Sequence, residues 1–80
     1  MIPVTSPESL GKVLRRYRKN QGLTQVEAGG KFNLPQKTVS RIEAGAAAIR
    51  LDTVFKYMAA LGLEMHLDPR NKPSDDETLW

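Results

Sequence analysis

Within residues 23–45 the chain opens a helix, breaks it and opens another, and signals so closely spaced leave room only for two short helices and a tight turn. Thr24-Gln25-Val26-Glu27 has the form of a capping box, in which the threonine oxygen accepts from the Glu27 amide while the glutamate side chain reaches back to the Thr24 amide. The helix that starts there is predicted to run to about Phe32 and contains Gly29 and Gly30, each costing about 1 kcal/mol relative to alanine inside a helix. A close crossing by the next helix accounts for such residues. Asn33 can take the left-handed conformation that ends a helix, Leu34-Pro35 restarts the chain, and Gly45 is placed as a C-terminal cap after Glu43-Ala44. The second helix is predicted over about 35–44, with Val39 and Ile42 toward the core.

The flanks supply the rest of a small bundle. Ser6-Pro7 reads as an N-cap followed by proline at the first helical position, and Leu10, Val13, Leu14 and Tyr17 then mark one helix face, ended by Gly22. The remaining face carries Lys12, Arg15, Arg16, Arg18 and Lys19, a stripe suited to phosphates or anionic lipid, or simply hydrated. After a loop to Arg50, Leu51, Val54, Phe55, Met58 and Leu61 repeat the helical spacing, and Gly62 stops it. Leu63-Glu64-Met65-His66-Leu67 alternates apolar and polar residues as a half-buried strand does, closed by Asp68-Pro69. A lone strand leaves its backbone groups unpaired; pairing with the same strand of a second subunit would satisfy them and bury Leu63, Met65 and Leu67. The alternative is an extended segment packed on its own domain. The expected fold is therefore all-α, a bundle of four to five short helices with one C-terminal β-strand pairing across a dimer. Residues 1–5 form an arm, 6–68 the folded domain with its dimerisation strand, and 69–80 a flexible acidic tail.

Composition narrows the function. Eighty residues suffice for one small domain near the lower limit at which apolar burial alone stabilises a fold, so help from a second copy is plausible. With no cysteine there is no disulfide or thiolate metal site, and the reading is a cytoplasmic protein. No apolar run approaches the roughly 20 residues that span a bilayer. The net charge of +3 is unevenly spread, because residues 1–50 hold nine Lys/Arg against three acids and residues 51–80 hold three against six. A basic half suits a polyanion, whose binding rests on neutralising phosphates. His66 stands alone, without a second ligand at metal spacing, and no triad, phosphate-cradling loop or carboxylate cluster supports catalysis. Neither a metal nor another cofactor is expected. In the tail, Leu79-Trp80 has no folding role, whereas tryptophan is a frequent anchor in a partner's pocket.

Taken as a unit, LTQVEAGGKFNLPQKTVSRIEAG from Leu23 to Gly45 resembles the helix-turn-helix of the Cro/repressor family, departing from it only at Gly29, where alanine is usual, and Asn33, where glycine is. Such a second helix lies in the major groove of double-stranded DNA with its early residues on base edges. Here those are Gln36, Lys37, Thr38, Ser40 and Arg41: glutamine pairs with adenine, lysine donates to guanine, and a threonine methyl meets a thymine methyl. For Arg41 the alternative is an ion pair or hydrogen bonds within its own domain. Phosphate contacts are expected from Gln25, at the start of its helix, with Arg16, Lys19 and Arg50. Glu43 is read as structural, since an acid facing DNA is repelled.

The arm, the four-helix domain, the FKYMAALGLEMHLDP stretch from Phe55 to Pro69 and the terminal Trp80 together resemble HipB-type antitoxins. That resemblance implies a homodimer that binds a palindromic operator, represses its own operon and neutralises a HipA-type serine/threonine kinase toxin, with Leu79 and Trp80 as toxin contacts. Three other readings share parts of this pattern: a stand-alone repressor without a toxin, an interaction module that does not need Gln36, Lys37 and Arg41, and a membrane-surface role for the first helix. The last conflicts with the core role of Leu10, Val13, Leu14 and Tyr17.

Overall fold

The computed structural model describes residues 2–70, within which four helices run in order: α1 (Pro7–Asn20), α2 (Gln25–Gly30), α3 (Gln36–Glu43) and α4 (Leu51–Ala60). Two of the starts are capping boxes. At α1 the Ser6 hydroxyl accepts from the Ser9 amide at 3.0 Å, and at α2 the Thr24 hydroxyl accepts from the Glu27 amide at 3.1 Å while Glu27 accepts from the Thr24 amide at 2.8 Å. That reciprocal bond from the Thr24 amide holds the exposed Glu27 carboxyl below the usual range. Helix α2 stops at Gly30, earlier than the sequence suggests, and Asn33 takes the left-handed backbone expected of it, with φ of 59°. Pro35 is the cap of α3 and not its first residue.

The core is one cluster of Leu14, Ala28, Val39, Ile42, Val54, Tyr57, Met58, Ala60 and Leu61, with Leu10, Leu23, Leu34, Ile49 and Leu63 packed at its edge. Glycines set how closely the helices approach. A Cβ on Gly29 would stand 2.6 Å from the Leu34 carbonyl oxygen, and one on Gly11 would stand 2.6 Å from the carbonyl oxygens of Ile42 and Glu43. Gly11 thus lets α1 lie directly on the end of α3, a role its sequence context does not announce. Gly30, by contrast, faces open space, so close crossing explains only the first glycine of the pair. Gly45 holds φ of 83° after α3.

Three apolar assignments change. Tyr17 is 40% exposed, and on α4 Leu51 and Phe55 are 64% and 44% exposed while Tyr57 is fully buried. The helical faces are rotated from the simplest apolar reading because polar residues occupy inward positions, as Arg18 does on α1. Residues 63–69 form neither helix nor strand, so the expected C-terminal strand is not formed among the described residues. Leu63 packs against the core of its own domain and its amide donates to the Met58 carbonyl at 2.8 Å, so it does not share the outward position of Met65 and Leu67. Among the described residues, no helix is long and apolar enough to cross a membrane. Leu79 and Trp80, with all of the tail beyond Arg70, lie outside the described residues.

Candidate nucleic-acid interface

Helix α3 turns Val39 and Ile42 inward and so presents the other side of its cylinder to solvent. Lys37, Ser40 and Arg41, spaced by three and four residues, share that exposed side, and Gln36 stands exposed at its leading end. Thr38 is half-buried at the margin, which leaves less of it to reach a base than its position in the helix suggests. Arg41 has no salt bridge or side-chain hydrogen bond among the described residues, so the internal ion pair weighed for it is absent there.

A buried polar network underlies this surface. Arg18 donates from Nε to Glu43 Oε2 at 2.7 Å and from Nη2 to Oε1 at 2.9 Å, and a third guanidinium nitrogen, Nη1, donates to the Leu23 carbonyl at 2.8 Å. Tyr57 donates its hydroxyl to Glu43 Oε2 at 2.5 Å. Gln25 donates from Nε2 to Glu43 Oε1 at 3.2 Å and accepts from Gln36 Nε2 at 3.4 Å. Burial pushes the Glu43 carboxyl up, but the bonds from Arg18, Tyr57 and Gln25 outweigh it and hold the group below the ordinary carboxylate range. The hydrogen bond to Glu43 raises Arg18, while burial and the same carboxylate push the Tyr57 phenol up. Glu43 is therefore the anionic centre that ties α1, α2, α3 and α4 together beneath the exposed face, consistent with its reading as structural. Arg18 and Tyr57 are the partners that sequence reading missed, and Arg18 does not belong to the surface stripe.

The residues expected on phosphates divide. Gln25 is joined to Gln36, as the head of α2 meets the head of α3. Arg16 and Lys19 line a shallow basic groove with Lys12, Arg15 and Asn20 on the outer side of α1. Arg16 precedes Arg18 by two positions, about 200° around the helix, so it leaves on the far side of α1 from the Glu43 network. Arg50 caps α4 and is held in a fork by Asp52, at 3.1 Å from Nε and 3.0 Å from Nη2, so a phosphate has to compete with that carboxylate. The pairing lowers Asp52 and raises Arg50. Among the described residues no cluster of His, Asp or Glu could hold a metal ion.

A short α2, a left-handed turn at Asn33 and an α3 with an exposed polar side are the parts of a helix-turn-helix. Residues 14–67 match the helix-turn-helix family. The antitoxin HipB of Escherichia coli strain K12 is 31% identical over 75 residues, which is 94% of this chain and 85% of the relative. HipB chains from a HipA-HipB-O2-O3 complex and from a HipB-O4 20mer complex are each similar with a TM-score of 0.83 and 30% identity, covering 88% of this chain and 99% of theirs. The chain belongs to the helix-turn-helix family, in its HipB-type, Cro/repressor-like branch.

Proposed function

We propose that the chain is a DNA-binding transcriptional repressor and antitoxin: it seats α3 in the major groove of a palindromic operator as a homodimer, represses its own operon, and neutralises a HipA-type serine/threonine kinase. The observation that carries the DNA reading is the outward face of α3, where Lys37, Ser40 and Arg41 stand exposed beside a Gln36 already oriented by Gln25. Base contacts are assigned to Gln36, Lys37, Thr38, Ser40 and Arg41, and phosphate contacts to Gln25, Arg16, Lys19 and Arg50. Met65 and Leu67, both exposed, form the dimer contact with Leu63 at its inner edge. Support for the kinase partner comes from the HipB relatives, one of them solved in a complex with HipA. The action is binding, in the cytoplasm, without a cofactor.

The test of the DNA reading is titration of the full chain against the duplex upstream of its own reading frame over a salt series. Phosphate neutralisation predicts a steep negative slope of log affinity on log salt, and alanine at Gln36, Lys37 and Arg41 together should abolish preference for that duplex over a scrambled one. Retained preference in the triple variant would instead favour a pure interaction module. For the antitoxin reading, the chain should co-purify with a kinase from its native host, and removing Leu79 and Trp80 should weaken that capture without changing operator affinity. A chain that binds the duplex but captures no kinase is a stand-alone regulator.

A further inference from the structure

The hydroxyl of Tyr57 is the innermost member of a hydrogen-bonded chain that ends at the first residue of α3. Its ring is fully buried, and packing alone would be served as well by a phenylalanine. An ionised carboxylate only accepts, so every group facing Glu43 must donate, and this fixes the polarity of the whole chain. Arg18 Nε and the Tyr57 hydroxyl share Oε2, while Arg18 Nη2 and Gln25 Nε2 share Oε1. Since Gln25 turns its NH2 to Glu43, its carbonyl oxygen is left to face Gln36, which meets it with its own NH2. Gln36 then presents a carbonyl oxygen and its second N–H outward, the acceptor and donor that pair with N6 and N7 of adenine.

We propose that Tyr57 is a positioning residue for base readout: by fixing Glu43 from the core side it orients Gln25, and through Gln25 the amide of Gln36. Arg18 alone grips the carboxylate from one side. The phenol on α4, held by a fully buried ring, sets the rotation of the carboxylate plane and so the direction in which Oε1 receives Gln25. The inference rests on the DNA-reading role proposed above and extends it to a residue that touches no DNA.

The test starts from a duplex selected by the full-length chain from a randomised library, followed by a panel in which each base pair is replaced in turn. Gln36→Ala identifies the positions that Gln36 reads, where the wild type should discriminate by roughly tenfold or more. Tyr57→Phe should lose at least about threefold of that discrimination at those positions and at no others, as expected when a bidentate pair loses its alignment. An unchanged profile, or an even loss at every base pair, overturns the proposal, since a merely structural hydroxyl weakens all sites alike. If the wild type enriches no duplex, the DNA reading itself falls and this inference with it. Should Tyr57→Phe not fold, fluorotyrosine incorporated into the Tyr17→Phe chain keeps the ring and changes only the donor strength at Tyr57. The side-chain amide NMR signals of Gln25 and Gln36 should then both move; an unmoved Gln36 signal overturns the proposal.

Discussion

Glu43 carries a formal charge in the interior of a chain of only eighty residues, and its partners decide whether that charge helps or harms. Removing one partner of a buried pair leaves an uncompensated charge, at a cost of about 3–5 kcal/mol, a large share of what a chain of this size has. Arg18→Ala is therefore expected to unfold the domain or bring it close to unfolding, measured by urea denaturation. The acid response follows from the direction of the shift. Because the folded state holds Glu43 below its ordinary value, its contribution is complete above the carboxylate range and is lost as pH falls through the folded value. Glu43→Gln should thus lower stability at neutral pH and flatten the acid limb; acid limbs that run parallel in variant and wild type would contradict this. Neither Arg18 nor Tyr57 is visible in the sequence as a partner of Glu43, because they lie 25 and 14 residues from it along the chain. A fainter signal does exist. Arg18 follows Leu14 by four, Glu43 follows Val39 by four and Tyr57 follows Val54 by three, so each polar group occupies an inward helical position beside a buried apolar residue.

At the level of elements, the caps were legible and the faces less so. Thr24 and Glu27, Asn33 and Gly45 act through bonds and backbone angles local to each of them, which is why their sequence context suffices. Thr24→Ala should cost about 1 kcal/mol in the melting of the whole domain, since α2 has only six residues and little else to start it. Faces depend on partners far along the chain, and so Leu51, Phe55 and Tyr17 fitted the helical spacing without being buried. The glycine pair separates the two cases most sharply. Gly30→Ala adds a methyl into open space and should stabilise by up to about 1 kcal/mol, whereas Gly29→Ala, though alanine is usual in the family, sets a methyl 2.6 Å from the Leu34 carbonyl and 2.9 Å from Val39 and should destabilise. Thermal unfolding of the two single variants compares them directly; equal effects would mean that the α2–α3 crossing relaxes freely.

On the scale of the molecule, the question is what covers the outward apolar residues at its C-terminal side. Met65 is 43% and Leu67 is 88% exposed, and the backbone of residues 64–67 makes no backbone hydrogen bond among the described residues. Sequence alternation marks this stretch as a strand, and a strand is completed only by a partner's backbone. In the proposed dimer two such segments pair about a two-fold axis, and the axis sets the separation at which two copies of α3 meet successive major grooves. Dimerisation and operator binding are then one linked equilibrium. Met65→Lys with Leu67→Asp should leave each domain folded, because neither side chain belongs to the core cluster, yet convert the protein to a monomer in sedimentation. The same variant should lose most of its affinity for a palindromic duplex while retaining its salt slope per half-site, since each domain keeps its own phosphate contacts but no longer brings a tethered second domain with it. A double variant that still sediments as a dimer would move the interface elsewhere, to the exposed Leu51 and Phe55 flank of α4, and the spacing of the half-sites would have to be derived from that helix instead.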